Sequence, residues 1–345
     1  MEKHSVMKKL NKDITALNHF SAGRVAVIGD IMLDAYLWGA VNRISPEAPV
    51  PVVDVRRRSC CPGGAANVMR NLATLHGQAK AFGIVGNDPA GREVINLLKD
   101  YGTDVSGIIR SNERRTTEKC RVVAGAQQLL RADFEDTTPI SEADRDKLVG
   151  KIVRLIRKKE IDAIIFDDYA KGVLCADMLK VIIKEARKYQ IFTMLDPKPK
   201  AGGVTPVAGL TLLKPNRSEA FALAGINDPG PAADPANDQM LHRAAEKIFE
   251  IWQPENLLIS LAAQGMILFP YGAAPQVIPT RAREVFDVSG AGDTVAAVCT
   301  LALATGCDVR QAAELANRAA GVVVGKIGTA PIMFDELLAA INDNQ

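Results

Sequence analysis

The stretch DVSGAGDTVAA (287–297) sets two glycines and an alanine directly before a lone carboxylate. Small residues let a ligand come close to the backbone. The run that follows, DTVAAVCTLALAT (293–305), has a helical composition. A helix start carries free amide groups and the positive end of the dipole, so residues 289–292 can cradle an anion. Asp293 then sits beside whatever is held. In phosphoryl transfer, a carboxylate within reach of an acceptor hydroxyl takes its proton while amides hold the phosphoryl group. An aspartate in a first helical turn also serves the helix alone, since acidic side chains are favoured there. No Lys-Ser/Thr follows the glycines, so this is not a P-loop. Val295 stands where the dinucleotide fingerprint needs glycine or alanine.

Three more clusters could contribute. In KPNRSEA (214–220), Asn216 and Glu219 share i, i+3 spacing at a helix start after a strand. An amide and a carboxylate there suit hydrated Mg²⁺ on a nucleotide phosphate, and equally suit an ordinary capping box. In IGDIMLDAY (28–36), Asp30 and Asp34 flank the end of the first strand, where open parallel sheets place ligands. Their carboxylates could accept hydrogen bonds from sugar hydroxyls. In PGGAANVMRN (62–71), Gly63 and Gly64 allow close approach, and Asn67 lies in the first turn of the helix that follows.

These clusters must be positioned by regular elements. An apolar strand is expected at 24–29, a helix at 64–77, a strand at 79–85 and a helix at 89–101. Helices at 141–159 and 176–189 precede strands at 161–167 and 191–196. Strand 210–214, helices 217–224 and 238–252, and strand 256–261 continue the alternation, and QVIPTRAREVFD (276–287) reads as extended. Residues 1–22 look like a polar helical lead-in, and 228–236 like a flexible surface loop. Strands alternating with helices argue for a parallel sheet covered on both faces, an α/β fold. Residues 36–62 and 110–135 break the rhythm with strand-like runs that no helix separates. Pro46, Pro49 and Pro51 suit an edge strand there. These two stretches are expected to form a small β-rich lid on a single-domain core that spans 1–345.

Composition narrows the class. The chain has 345 residues, is 48% hydrophobic and 24% charged, and carries a net charge of +2. No global field points to nucleic acid or membrane. Six cysteines lack any metal-binding spacing, as expected of reduced thiols in a cytoplasmic protein. No run of 18 apolar residues and no signal-peptide core are visible. All four histidines lie outside the motifs, so a histidine base is not expected.

Taken in this order, the clusters resemble the ribokinase-like (PfkB) carbohydrate kinases over about residues 22–340. PGGAANVMRNLATLHG and DVSGAGDTVAA carry the resemblance. It implies a three-layer α/β/α core with a mostly parallel sheet and a β-lid that closes over the sugar and makes a homodimer contact. It also implies ATP and Mg²⁺ as cofactors. Gly290, Ala291 and Gly292 would form the anion hole and Asp293 would be the base. Asn216 and Glu219 would hold Mg²⁺ and the nucleotide phosphates, and Lys214, Ser260, Gly265 and Asn317 are assigned to the nucleotide side. Asp287 and the 322–329 loop are candidates for K⁺. GDIMLDAYLWGAVNRISPEAPVPVV (29–53), DDYAKGVL (167–174), LDPKPK (195–200) and IPTRAREVFDVSGAGDT (278–294) are similar to bacterial D-glycero-D-manno-heptose 7-phosphate kinases. That implies phosphorylation of O1 in ADP-heptose synthesis for lipopolysaccharide. A substrate that already carries phosphate needs cations, for which Arg43 and Lys171 are the candidates, beside Asp34, Asn67 and Asp30. Many relatives carry a second, nucleotidyltransferase domain. The rival readings are another kinase of this family, acting on fructose 6-phosphate or ribose, and a catalytically idle binding regulator.

Overall fold

The computed structural model describes residues 2–125, 127–199, 203–282, 284–326 and 328–343, with residues 2–9 described by backbone only. The helix α1 (Glu2–Asn18) leads into β1 (Arg24–Gly29). One residue, Asp30, separates β1 from β2 (Ile31–Ile44), which is followed by β3 (Pro51–Gly64). Then come α2 (Ala65–Thr74), β4 (Gln78–Gly86), α3 (Pro89–Asp100), β5 (Asp104–Ser111), β6 (Thr117–Ala124) and β7 (Gln127–Phe134). The next elements are α4 (Glu142–Arg157), β8 (Ala163–Asp167), α5 (Ala176–Lys188), β9 (Phe192–Asp196), β10 (Leu212–Leu213) and α6 (Arg217–Ala224). The chain continues through α7 (Gln239–Trp252), β11 (Asn256–Ser260), β12 (Met266–Pro270) and β13 (Gln276–Ile278) to α8 (Ala291–Ala304), α9 (Val309–Val323) and α10 (Phe334–Asn342).

The main sheet has nine strands in the order β13-β12-β11-β10-β9-β8-β1-β4-β5. It is parallel from β11 to β5, and β12 and β13 extend it antiparallel. Strand β1 shows how the layers are held. Val25 and Val27 join the core under α1, α2, α3, α8, α9 and α10, while Ala26 and Ile28 join the core under α4 to α7. Alternate residues of one buried strand thus serve two cores, which is why it reads as a continuous apolar run. Each fully buried Val or Ile contributes about 1.5–3 kcal/mol.

The second sheet has four strands in the order β3-β2-β6-β7. It is the small sheet expected from 36–62 and 110–135, with two changes of boundary: β5 runs to Ser111 in the main sheet, and β2 begins at Ile31, deep in the core. The lid is therefore an outgrowth of the first core strand. Its inner residues, Ile31–Ala35 and Pro62–Gly64, are buried and its far ends are exposed.

Two expectations need correction. The extended run 276–287 stops as a strand at Ile278. Pro279 has no N–H to continue the ladder, and the Asn317 side-chain amide on α9 donates to its carbonyl at 2.7 Å. The 228–236 loop is tied down: the Arg217 guanidinium donates to Asp228, to the Gly230 carbonyl and to Asp238.

Candidate active site

The α8 start is built by Gly290, whose φ of 79° and ψ of 1° are left-handed and which carries no side chain to cap the helix. The Ala291 amide donates to the Val288 carbonyl at 3.2 Å. The amides of Gly292 and Asp293 meet no acceptor among the described residues, as expected for a helix start without a cap. A Cβ on Gly292 would lie 3.8 Å from Lys214 Nζ and 4.0 Å from Asp196 Oδ2, so these amides open beside a cation and an acid.

Asp293 is 6% exposed. Its Oδ1 accepts from the Tyr169 hydroxyl at 2.8 Å and its Oδ2 from Asn67 Nδ2 at 2.6 Å. Burial pushes its pKa above the usual carboxylate range, and the bonds from Asn67 and Tyr169 pull part of that back.

Around it, neighbouring parallel strands end in charged residues. Asp167 closes β8 and pairs in register with Asp196, which closes β9. Lys214 follows β10 and bridges to Asp196 at 2.8 Å. Burial raises both carboxyls; the lysine opposes this at Asp196, and the nearby Asp293 and Asp196 charges push Asp167 further up. Burial lowers the Lys214 ammonium, but Asp196 outweighs it and leaves a secure cation. Asp167 Oδ2 is buried without a hydrogen-bond partner among the described residues.

The lid supplies the opposite wall. Arg121 Nη1 donates to Asp34 at 2.6 Å, and a Cβ on Gly63 would meet Asp34 Oδ2 at 2.5 Å, so only glycine leaves that carboxylate room. Gly64 has φ +53°, and a Cβ there would strike the Asp30 carbonyl. Lys119 lies 5.3 Å over the Tyr169 ring. Lys171 bridges to Glu135 at 2.6 Å.

The structure brings Asp293, Asn67, Lys214, Asp34, Gly63 and Gly292 around one opening, and places other expected residues differently. Asp30 does not face it freely. Its carboxylate accepts from the amides of Tyr169 (2.8 Å), Lys171 (3.1 Å) and Val173 (3.4 Å), and so shapes the 169–173 loop. Burial moves its pKa to about 6 despite those bonds. Arg43 is exposed near the far end of β2, paired with Val52, about 30 Å of strand from Asp34. Asn216 and Glu219 form a complete capping box. Asn216 Oδ1 accepts from Glu219 N at 2.9 Å, and Glu219 Oε2 accepts from Asn216 N at 3.0 Å. The other oxygen, Glu219 Oε1, accepts from Lys198 at 2.8 Å. Both Glu219 oxygens are thus already hydrogen-bonded, and contact with a metal through water leaves these bonds intact. No group of three or more metal-binding side chains gathers among the described residues.

Ser260 pairs with Asn216 in an isolated parallel bridge, which sets it next to that helix start. Gly265 has φ +87°, and a Cβ would meet the Ile278 carbonyl at 2.2 Å, so it serves close backbone packing. Asn317 is bound to Pro279. The Asp287 carboxylate accepts from the Ser289 and Gly328 amides at 2.8 and 3.0 Å, one bond on each oxygen, and so ties the turn before α8 to the 328 loop. Burial raises its pKa, yet those bonds hold it below the usual range. Ile327 of the candidate cation loop, Lys200 and Arg283 lie outside the described residues.

Tyr169, Asp167, Asp196, Lys119 and Arg121 were not singled out from sequence. One signal was present: GD, FD and LD each put an aspartate at or just past the end of an apolar strand, at 29–30, 166–167 and 195–196. Parallel strands direct those acids to a single edge.

Comparison with known proteins identifies the family. The pfkB family carbohydrate kinase profile matches residues 22–335. The chain is 44% identical over 322 residues to the bifunctional protein HldE of Caulobacter sp. strain K31, covering 92% of this chain and 63% of that protein. It is 40% identical to the protein of the same name in Helicobacter hepaticus, covering 92% and 64%. The chain thus spans less than two thirds of the length of these relatives. Phosphofructokinase-2 from Escherichia coli in complex with potassium superposes with a TM-score of 0.72 at 20% identity, covering 93% of this chain and 98% of that one. Arabidopsis thaliana ribokinase complexed with ribose and ATP superposes with a TM-score of 0.69 at 19% identity, covering 92% and 98%. The fold is ribokinase-like, and the chain belongs to the pfkB family of carbohydrate kinases.

Proposed function

We propose that this domain transfers the γ-phosphoryl group of ATP to O1 of D-glycero-D-manno-heptose 7-phosphate. The observation that carries the reading is the uncapped α8 start, with open amides beside a buried, doubly hydrogen-bonded Asp293. The sugar lies between Asp34, Gly63 and the lid, with its O1 hydroxyl at Asp293. The new bond joins O1 to phosphorus, the bond from phosphorus to the bridging oxygen of ADP breaks, and Asp293 takes the O1 proton. The Gly292 and Asp293 amides and Lys214 stabilise charge on the transferring group. Mg²⁺, when bound with the nucleotide, neutralises charge on its phosphate oxygens. Asn216 and Glu219 would contact it through water.

The choice of a phosphorylated sugar rests on the lid resemblance and on cations. Lys119 is depressed by burial and meets no carboxylate within ion-pair distance among the described residues. An incoming phosphate would supply that counter-charge, with Arg121 and Lys171 nearby. Exposed Ile44, Val50, Val55, Leu130 and Phe134 on the lid strands and their connecting loop support a homodimer through this sheet, which sedimentation would check.

The deciding experiment is ADP release with Mg·ATP and a panel of acceptors: the heptose 7-phosphate, sedoheptulose 7-phosphate, fructose 6-phosphate, ribose and no sugar. A strong preference for the heptose phosphate is expected. Preference for ribose would overturn the role of the lid cations, and no turnover on any acceptor would favour a binding regulator.

A further inference from the structure

Arg70 lies within the PGGAANVMRN stretch but carries none of the roles assigned above; it is 4% exposed and sits one helical turn beyond Asn67 on α2. No carboxylate pairs with it among the described residues, and its Nε is buried without an acceptor. A guanidinium so placed is costly to keep, so its remaining bonds should explain it. Nη2 donates to Asn67 Oδ1 at 2.6 Å and also to the Thr329 carbonyl.

The first bond decides which way the Asn67 amide points. With a guanidinium on one side and a carboxylate on the other, only one orientation satisfies both: Oδ1 to Arg70 and Nδ2 to Asp293. The second bond reaches a loop under the lid, where Thr329 Oγ1 lies 3.5 Å from the Tyr36 hydroxyl and 3.7 Å from Cys61 Sγ. A Cβ on Gly290 would also meet Thr329 Cγ2 at 3.3 Å. Arg70 thus bonds both the donor to Asp293 and the backbone of Thr329, whose side chain lies against the lid and beside Gly290.

We propose that Arg70 is a positioning residue for phosphoryl transfer. It fixes the Asn67 amide, and through it the donor that aims the Asp293 carboxylate, and it ties that pair to the Thr329 loop beneath the lid. The inference rests on Asp293 acting as the base.

The test reads the protonation of Asp293. The charged or titratable groups that face it are Tyr169, Asp167, Asp196, Lys214 and Asp34, and none of them is altered by changing Arg70. Activity needs the carboxylate, so it rises with pH through the Asp293 pKa. Loss of the Asn67 donor removes a bond to the charged form and moves that limb to higher pH. Arg70→Met is expected to shift the acid limb of kcat upward by about one pH unit. Below the limb it should lower kcat about tenfold, leaving KM for ATP within about threefold. Arg70→Lys, which keeps the charge and one donor, should fall between it and wild type. The same shift is expected in the carboxyl-carbon NMR titration of Asp293, which needs no substrate. A folded Arg70→Met whose limb and NMR titration coincide with wild type would overturn the proposal. If Arg70→Met does not fold, Arg70→Lys decides: a lowered Tm with both titrations unmoved means a structural tie only, and also overturns it. Wild-type turnover that survives Asp293→Asn breaks the base assignment instead, a result separate from an unmoved titration.

Discussion

Two helix starts in this molecule carry an acid at the same third position and use it in opposite ways. At α6, Asn216 is the cap, its backbone is extended, and Glu219 bonds back to its amide. The helix satisfies itself. At α8, Gly290 is the cap, its backbone is left-handed, and Asp293 makes no side-chain bond to its own helix start. Its partners come from 226 and 124 residues away. The cap residue accounts for the difference. An asparagine side chain occupies the third amide and fixes an extended entry, whereas glycine offers no acceptor and turns the chain so that the amides stay open. A capped start is structural first and can touch a ligand only at its rim. An uncapped start leaves room for one.

The strongest way to break this contrast is Asp293→Asn. It should lower kcat by about 10² to 10⁴ while ATP binding stays near wild type. The fold should not suffer. A carboxyl whose folded pKa is raised contributes stability below its unfolded pKa and loses it as pH rises through the folded one. The neutral side chain should therefore give a Tm at or above wild type at pH 8, with the advantage fading toward acid. Turnover within tenfold of wild type, or a lower Tm at pH 8, would remove Asp293 from the centre of the site.

A sharper test turns one helix start into the other. Gly290→Asn puts at the α8 start the residue type that caps α6, and asparagine tolerates the left-handed backbone there. Its Cβ would stand 2.9 Å from Asn67 Nδ2, close enough to shift the donor to Asp293. Turnover should drop about 10²-fold, because the added side chain fills the anion site and misplaces the base. Turnover within threefold of wild type would show that the open amides are not where the phosphoryl group sits.

The same contrast explains how far the sequence could be read. The α/β alternation, the lid and the α8 start follow from local rules: apolar runs, glycines and helix composition. The partners of Asp293 do not. Asn67 was noticed for its glycines, but nothing local shows that it points to Asp293. Tyr169, Lys214 and Asp196 meet only because β8, β9 and β10 lie side by side, which strand order decides. Asp30 and Asp34 look alike in IGDIMLDAY, yet one is held by loop amides and the other by Arg121. Arg43 lies on a lid strand as expected, but strand length carries it away from the opening. For Asn216 and Glu219, spacing permits a cap or a metal contact, and the structure shows a complete cap.

That last pair yields the smallest effect and separates the two roles. Glu219→Gln keeps an oxygen that can accept from the Asn216 amide, so the box survives, but it removes the charge facing Lys198. If Glu219 also steadies the hydrated metal, KM for Mg·ATP should rise about fivefold, near 1 kcal/mol, with Tm unchanged. Glu219→Ala loses both functions. It should show the same rise in KM and cost about 1 kcal/mol of stability, near 2 °C in Tm. If Glu219→Gln leaves KM alone while Glu219→Ala lowers only Tm, α6 is a purely structural start. The nucleotide metal would then be held elsewhere, and α8 would stand as the one helix start of this pair given over to the ligand.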